Sequence, residues 1–252
     1  YNCGDGICGD GETAASCSMD CGKLVAHYPF DGNANDASVN GNNGTGYGGV
    51  QLTADRFGNA DSAYWFDGID DYIKADHITE IAPYNSMSFS AWIKFEEGGT
   101  ANPRILSKAD GPGYALMTNG IGSERDVTLS IGHELNYSDT LIVANDWYFL
   151  VGTNDGHDIR LYINGNQVAI RSYGLSSIDQ NFNPLFIGRK ASEYDDFYRG
   201  TIDDIRIYDY AISNEKINSL YCENGWCDSI SGCTDSNACN YNSAATQNDG
   251  SC

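Results

Sequence analysis

An oxygen-rich loop at residues 31–45, DGNANDASVNGNNGT, is the stretch whose residue types most clearly point to chemistry. Calcium takes six to eight oxygen ligands, drawn from carboxylates, asparagine side chains and backbone carbonyls on sharply turning loops. The loop is dense in such ligands, and its glycines allow backbone oxygens to turn inward. It therefore predicts a structural calcium site. The alternative is a series of Asx-turns, in which Asp and Asn side chains bind the local backbone and need no metal.

The two ends of the chain raise the same question. Acidic and amide side chains alternate there with glycine and cysteine, and neither end has the twelve-residue spacing of an EF-hand loop. Further calcium sites at the ends are a hypothesis, with solvated turns held by disulfides as the alternative. The candidate ligands are Asp5, Asp10 and Asp20 near the beginning and Asp235, Asn237 and Asp249 near the end.

The charge balance narrows the possible partners. With 35 acidic and 14 basic residues the formal net charge is −21, which argues against nucleic acids and anionic membranes because both require basic patches. Bound Ca²⁺ would relieve carboxylate repulsion where the acids cluster. No apolar run is long enough to span a bilayer, and a start without Met or an apolar leader indicates a processed fragment.

Nine cysteines divide the chain into three parts. Four lie in the first 21 residues, five lie in the last 31, and none lies between Cys21 and Cys222. Segments this short cannot bury enough apolar surface to stay folded alone, so they need disulfides or a metal. Neither end has a CxxC knuckle or a nearby histidine, which favours disulfides over zinc and an oxidising, extracellular compartment. We predict a cysteine-rich acidic module at 1–22, a central domain at 23–221 and a C-terminal module at 222–252.

The disulfide pairing is partly open. Two bridges are expected among the first four cysteines, in an unknown pairing: Cys3, Cys8, Cys17 and Cys21. At the other end, spacing favours Cys222 with Cys227 and Cys233 with Cys252. Cys239 is then odd, and we expect its partner in chain beyond Cys252 rather than a free thiol.

Short apolar alternations broken by Gly, Asn and Asp fill the central region and predict about twelve β-strands. Asn164-Gly165 is the strongest hairpin signal. Residues 147–151 are apolar on both faces, so we expect Trp147, like Trp92, to lie in the core. One helix follows, with Ser213 as its N-cap. Two curved antiparallel sheets, an all-β sandwich, fit this pattern best.

Five segments occur in order along the central region: LVAHYPFDGNANDASVNGNNGT, DRFGNADSAYWFDGIDDYI, FSAWIKF, WYFLVGTNDGHDIRLYINGNQVA and FIGRKASEYDDFYRGTIDDIRIYDYAIS. Together they resemble the laminin G-like domains, of the concanavalin A-like lectin/glucanase superfamily, in bacterial surface proteins. The resemblance covers about residues 23–221 and implies a jelly-roll sandwich. The ends, CGDGICGDGETAASCSMDCG and GCTDSNACNYNSAATQNDGSC, are similar to small repeats of secreted multidomain proteins.

The resemblance also implies a place for calcium. Laminin G-like domains often hold one Ca²⁺ where the oxygen-rich loop meets the strand that carries the sequence IDD. It therefore nominates Asp31 and Asn43 from the loop and Asp203 from the strand, with Asp36 as a fourth ligand. The expected role is structural.

Residues for catalysis are not evident in the sequence. Relatives on this fold that cleave polysaccharides carry two carboxylates about 5–5.5 Å apart, supplied by a Glu-x-Asp-x-Glu type of strand, and this pattern does not occur. The four histidines, His27, His77, His133 and His157, lie in separate segments without the spacing of a metal site or a triad. An enzyme is therefore not expected.

Carbohydrate binding calls for aromatic rings that stack on sugar faces, beside polar groups that bind hydroxyls. Trp65 is the best candidate, because it points outward if its neighbour Phe66 lies in the core. Arg189, Tyr194 and Tyr198 could form a loop rim. The alternative is that the aromatic residues are ordinary partners in strand packing.

Two functions of different classes follow from these patterns. The first is a non-catalytic adhesion module that binds a glycan or cell-surface polysaccharide. The second is a structural subunit of an extracellular filament, coat or virion surface, which contacts other copies or domains of the same surface protein. Both suit cysteine-rich flanks, and the exposure of the aromatic side chains distinguishes them.

Overall fold

The structure is a computed structural model that describes residues 22–76, 86–108, 113–132, 134–172, 183–191, 196–229, 231–232, 238 and 247–248. It divides into two compact units, Tyr1–Ile212 and Ser213–Cys252. None of the helices in the described residues is long and apolar enough to cross a bilayer.

The described part of the first unit contains sixteen short strands, more than the twelve expected from alternation, because several strands have only two to four residues. In chain order they are β1 (Leu24–Tyr28), β2 (Gly44–Tyr47), β3 (Gln51–Thr53), β4 (Ala63–Asp67), β5 (Tyr72–Ala75), β6 (Met87–Phe95), β7 (Arg104–Lys108), β8 (Tyr114–Asn119), β9 (Glu124–Ile131), β10 (Glu134–Tyr137), β11 (Ile142–Val143), β12 (Tyr148–Asn154), β13 (Asp158–Ile163), β14 (Asn166–Ser172), β15 (Leu185–Ile187) and β16 (Arg199–Tyr208).

These strands form two antiparallel sheets, as the sequence predicts, and each sheet has eight strands. Sheet I has the order β14-β13-β12-β6-β16-β4-β3, and β1 also pairs with β16. Sheet II has the order β10-β9-β8-β7-β15-β5-β2, and β11 also pairs with β9. The long central strand β16 therefore has β6 on one side and both β4 and β1 on the other.

The main apolar core lies between the two sheets. On β6 the alternate residues Phe89, Ala91, Ile93 and Phe95 are all fully buried and belong to this core. Each large apolar side chain buried in this way stabilises the fold by about 1.5–3 kcal/mol. The sheets approach closely at Gly152, where a Cβ atom would lie 2.7 Å from a methyl of Leu129. Any larger residue there would require the side chains of Leu129 and Phe89 to move.

The predicted hairpin is present. Asn164 and Gly165 connect β13 to β14 with positive φ angles of 50° and 79°. Two successive left-handed residues are what a two-residue type I′ turn requires, and Asn-Gly adopts them at low cost. This local signal was sufficient to place both strands correctly.

In its described residues, the second unit contains one α-helix, α1 (Asn214–Tyr221), and a 3₁₀ segment at Glu223–Ser229. Ser213 caps α1, since its side-chain oxygen accepts a hydrogen bond from the backbone N–H of Lys216. The predicted Cys222–Cys227 disulfide is present, with an S–S distance of 2.02 Å. Two short parallel strands, β17 (Ser231–Gly232) and β18 (Gln247–Asn248), follow.

Candidate functional site

Trp65 lies on the face of sheet I that points away from the core. The next residue on β4, Phe66, is fully buried in the core, whereas Trp65 is half-buried. Successive strand residues point to opposite faces, so the two side chains separate as the sequence predicts. The indole N–H of Trp65 donates a hydrogen bond of 2.9 Å to Glu96 Oε1. The ring is therefore held in one orientation with part of its surface open to solvent.

A row of side chains crosses sheet I at the level of Trp65. Gln51, Trp65, Thr201 and Lys94 are direct neighbours on β3, β4, β16 and β6. Trp147, immediately before β12, continues the line, since the Nζ of Lys94 lies 5.3 Å from its ring centroid. We call these five residues the Trp65 row. The prediction of Trp147 as a core residue was wrong: the ring is half-buried and lies outside the core cluster, because β12 begins only after it.

Charged groups lie on one side of the Trp65 row. Glu96 accepts from Trp65 through one oxygen and lies 3.5 Å from Arg199 Nε through the other. An Arg199 amino group in turn donates to the backbone carbonyl of Asp67. The Glu96 and Arg199 side chains are 31 % and 39 % exposed, so part of each remains available to a ligand from solvent.

The other side of the row is closed by the loop that follows β3. The guanidinium carbon of Arg56 lies 4.6 Å from the ring centroid of Trp92, and its amino group donates to Asp203 Oδ2 at 2.7 Å. Trp92 packs against Phe149 at a centroid distance of 5.1 Å and is fully buried. The outward face of sheet I is thus covered beside Asp203 and partly open beside Trp65.

The IDD sequence forms a buried charged group on β16. Burial raises the pKa of Asp203 to about 7, although the charge of Arg56 opposes the shift. The neighbouring Asp204, at a bulge with a φ of 46°, contacts His27 and Arg206 at 2.9 and 3.0 Å. Burial works against its ionisation, but His27 and Arg206 outweigh burial and hold the pKa of Asp204 below its ordinary value.

The predicted calcium loop is ordered by its own hydrogen bonds. One carboxylate oxygen of Asp36 accepts the backbone N–H groups of His27 and Ser38, and the other accepts the Ser38 hydroxyl and the Asn42 N–H, all at 2.8 Å. The side-chain oxygen of Asn43 accepts the N–H of Asp36 at 3.0 Å. These are the contacts of the Asx-turn alternative.

The four nominated calcium ligands do not form a joint site in this geometry. The oxygens of Asp36 and Asn43 are already engaged, Asp31 is exposed, and Asp203 pairs with Arg56. The carboxylates of Asp31, Asp36 and Asp203 also fail to converge within the 4.8 Å that a shared ion allows. This ligand set does not fit the ion. Calcium binding by the protein itself stays a prediction.

A different acidic cluster lies where β4 turns into β5. Within the described residues, Asp67, Asp70 and Asp71 are the carboxylates that bring ligand oxygens within 4.8 Å of one another. Asp71 is 2 % exposed, and burial raises the pKa of its carboxyl group. In the sequence, this stretch, FDGIDDY, contributes only to the family resemblance. A signal was present: an Asp-Gly turn at the end of a predicted strand, followed at once by two more acids.

Two other predicted ligand contacts, Tyr198 and Arg189, are buried. Tyr198 is fully buried and packs edge-on against Phe66 in the core, so its prediction as a ligand contact was wrong. Arg189 is 4 % exposed, with its guanidinium 4.3 Å from the ring centroid of Phe186 and 4.8 Å from that of Tyr72. It supports aromatic rings on sheet II and is too buried to form a rim.

Several predicted residues lie outside the described part of the chain, and their roles stay predictions. They are Tyr194, the metal candidates Asp5, Asp10, Asp20, Asp235, Asn237 and Asp249, and the disulfide candidates Cys3, Cys8, Cys17, Cys21, Cys233 and Cys252, together with Cys239.

The family follows from the sequence match and agrees with the fold. Residues 67–218, more than half of the chain, match the family model described as the concanavalin A-like lectin/glucanases superfamily. The chain belongs to this superfamily. No curated protein sequence matches the chain.

Solved structures share the sandwich. Domain 4 of AbnA, a GH43 extracellular arabinanase from Geobacillus stearothermophilus in complex with arabinotriose, has a TM-score of 0.63 at 22 % identity, over 79 % of this chain and 98 % of that chain. The binding domain of botulinum neurotoxin DC in complex with SialylT has a TM-score of 0.61 at 16 % identity, over 84 % of this chain and 53 % of that chain. At these identities the likeness shows the fold alone.

Proposed function

We propose that this chain is a non-catalytic, extracellular carbohydrate-binding module and that the Trp65 row is its glycan-binding surface. The observation that carries the proposal is the pair of half-buried tryptophans, Trp65 and Trp147, on the outward face of sheet I. Partly exposed rings fixed in place are suited to stack on the apolar faces of sugar rings. Little conformational entropy is lost on binding, because Glu96 already orients Trp65.

The polar groups around the two rings suit sugar hydroxyls. Lys94 lies between the tryptophans, and Glu96 and Arg199 lie beside Trp65. Ammonium and guanidinium groups donate hydrogen bonds and a carboxylate accepts them, so the surface offers a sugar hydroxyl both a donor and an acceptor. From β4 to β12 the row crosses three strand spacings, or about 14 Å. This distance favours an oligosaccharide over a single sugar.

The superfamily and the structural neighbours support a binding role. The arabinanase domain is described with arabinotriose and the neurotoxin domain with SialylT. The arabinanase is extracellular, which agrees with the cysteine-rich ends of the present chain. Arabinan oligosaccharides and sialylated glycans are therefore the first ligands to test.

A glycan array, run in calcium and again in chelator, tests the proposal. Trp65→Ala and Trp147→Ala remove one stacking platform each, and about 1.4 kcal/mol of lost stacking corresponds to tenfold weaker binding. We expect each variant to lose about tenfold in affinity for the best ligand. Tyr47→Ala is the matched control, since Tyr47 is a 41 % exposed aromatic residue that stacks on Tyr72 on sheet II. It should bind like the unmodified protein.

The outcomes separate the two functional hypotheses. Loss of binding in Tyr47→Ala but not in Trp65→Ala would place the glycan on sheet II and refute the proposed surface. An array without any bound glycan, together with filaments under the electron microscope, would support a structural subunit that contacts other copies of the surface protein.

A further inference from the structure

The acidic cluster at the end of β4 has the dimensions of a cation site. We propose that Asp67, Asp70 and Asp71 bind one calcium ion in the turn between β4 and β5. Calcium lies 2.3–2.6 Å from its ligand oxygens, so two oxygens that share an ion can be at most about 5 Å apart. One oxygen from each of the three carboxylates lies within 4.8 Å of the others. The proposal does not depend on glycan binding.

The buried carboxylate of Asp71 provides an independent reason for a ligand. Its Oδ2 accepts the backbone N–H of Asp67 at 3.0 Å, but its Oδ1 is buried and has no hydrogen-bond partner among the described residues. Asp71 as a whole is 2 % exposed. A buried anionic oxygen without a partner is strongly unfavourable, and a bound cation supplies that partner.

The turn is already arranged around the position of the ion. Asp67 Oδ1 accepts the N–H of Ile69 at 2.8 Å and that of Asp70 at 3.3 Å, which folds the turn over the first carboxylate. Gly48, in the turn between β2 and β3, touches the same segment: a Cβ there would lie 2.3 Å from the carbonyl oxygen of Asp70. The ligands are therefore held in place by two adjacent turns before any ion binds.

The donor set favours calcium over other divalent ions. All three ligands are carboxylates, and no histidine or cysteine of the described residues joins the cluster, which disfavours zinc and other transition metals. Asp70 is exposed, so the remaining coordination positions are open to water. Calcium accepts such irregular, partly hydrated oxygen sites, whereas magnesium demands a near-ideal octahedron.

Terbium luminescence on metal-stripped protein provides a direct readout. Tb³⁺ replaces Ca²⁺ and is excited through nearby aromatic rings. Tyr72 follows Asp71 directly, and Trp65 precedes Asp67 by two strand residues, or about 7 Å. We expect a saturable signal that calcium displaces, with a Kd of about 10⁻⁴–10⁻³ M, as in extracellular modules.

The variants compare two possible positions for the ion. Asp70→Asn changes an exposed side chain and should fold normally, and we expect at least tenfold weaker calcium binding and one bound ion fewer by calorimetry. Asp31→Asn, in the oxygen-rich loop, should bind as the unmodified protein does. The proposal is overturned if Asp70→Asn titrates like the unmodified protein, or if Asp31→Asn loses the ion instead. The second result would place calcium in the loop that the sequence resemblance nominated.

Discussion

Two acid-rich segments of this sandwich, residues 31–45 and the turn at Asp67–Asp71, differ in how the surrounding backbone satisfies their buried carboxylates, Asp36 and Asp71. In the first, both oxygens of Asp36 accept hydrogen bonds from the surrounding loop. In the second, one oxygen of Asp71 is buried and has no such partner in the described part of the chain. The first segment has far more Asp and Asn, yet the second has the electrostatic need for a cation. An acid-rich loop needs no metal when backbone N–H groups satisfy its carboxylate oxygens. The number of available N–H donors, rather than the density of oxygens, therefore distinguishes such a loop from a metal site.

The largest expected effect is at Asp36. Asp36→Ala removes an acceptor shared by three backbone N–H groups and one hydroxyl. Buried donors left unpaired cost about 1–3 kcal/mol each, and partial access to water reduces the sum, so we expect a loss of about 3 kcal/mol in the free energy of unfolding. Urea denaturation measures it, and the loss should be equal in calcium and in chelator.

Asp31→Ala is the control for Asp36→Ala. Asp31 is exposed, so this substitution should change stability by less than about 0.5 kcal/mol. If Asp36→Ala is instead harmless in chelator and destabilising only in calcium, Asp36 is a metal ligand and the comparison between the two segments fails.

Asp203 shows a third solution, in which a buried carboxylate pairs with Arg56. Its pKa is raised to about 7 by burial. The folded state therefore retains a proton that the unfolded chain has lost, and stability falls as the pH rises from about 4 to about 7. Asp203→Asn should lack this loss. We expect the difference in unfolding free energy between the unmodified protein and the variant to fall by on the order of 2 kcal/mol across that window.

Asp204→Asn tests the sign of the Asp203 effect. The pKa of Asp204 lies below its ordinary value, held there by His27 and Arg206 against the effect of burial. Its contribution is therefore lost as the pH falls below about 4. The two neighbouring substitutions should give opposite pH slopes, measured by thermal unfolding between pH 3 and 8. Equal slopes would mean that the pKa values of Asp203 and Asp204 are not shifted in opposite directions.

The sequence predicted the sandwich well because its signals are local. Alternation separated Phe66 from Trp65, and Asn164-Gly165 specified a turn that needs only two residues. The burial of Tyr198 and the half-exposure of Trp147 were missed, since both residues lie just before a strand, where alternation no longer predicts which side chains face the core. The predicted calcium ligands failed for a related reason, since the contacts that engage Asp36 and Asp203 form only in the folded protein.

Charge compensation could not be predicted from residue spacing. Nothing in the sequence indicates that Arg56 reaches Asp203, 147 residues away, or that the N–H groups of His27 and Asn42 meet on Asp36. The three carboxylates of the Asp67–Asp71 cluster are close in sequence, so the cluster itself could have been predicted. Its decisive feature, the unpaired oxygen of Asp71, depends on the turn between β2 and β3 that covers it.

Asp71→Asn gives the smallest expected effect and the sharpest test, because its sign depends on calcium. In chelator the substitution removes an unpaired buried charge, while the amide oxygen can still accept the N–H of Asp67, so we expect a gain of about 1 kcal/mol in unfolding free energy. In calcium at ten times the Kd, the unmodified protein gains about 1.4 kcal/mol from binding and the variant gains little. The order of stability should therefore reverse, or at least the difference should vanish, as calcium is added. A gain that is the same in calcium and in chelator would leave Asp71 a merely strained residue, and the contrast between the two acid-rich segments would then reflect packing rather than metal binding.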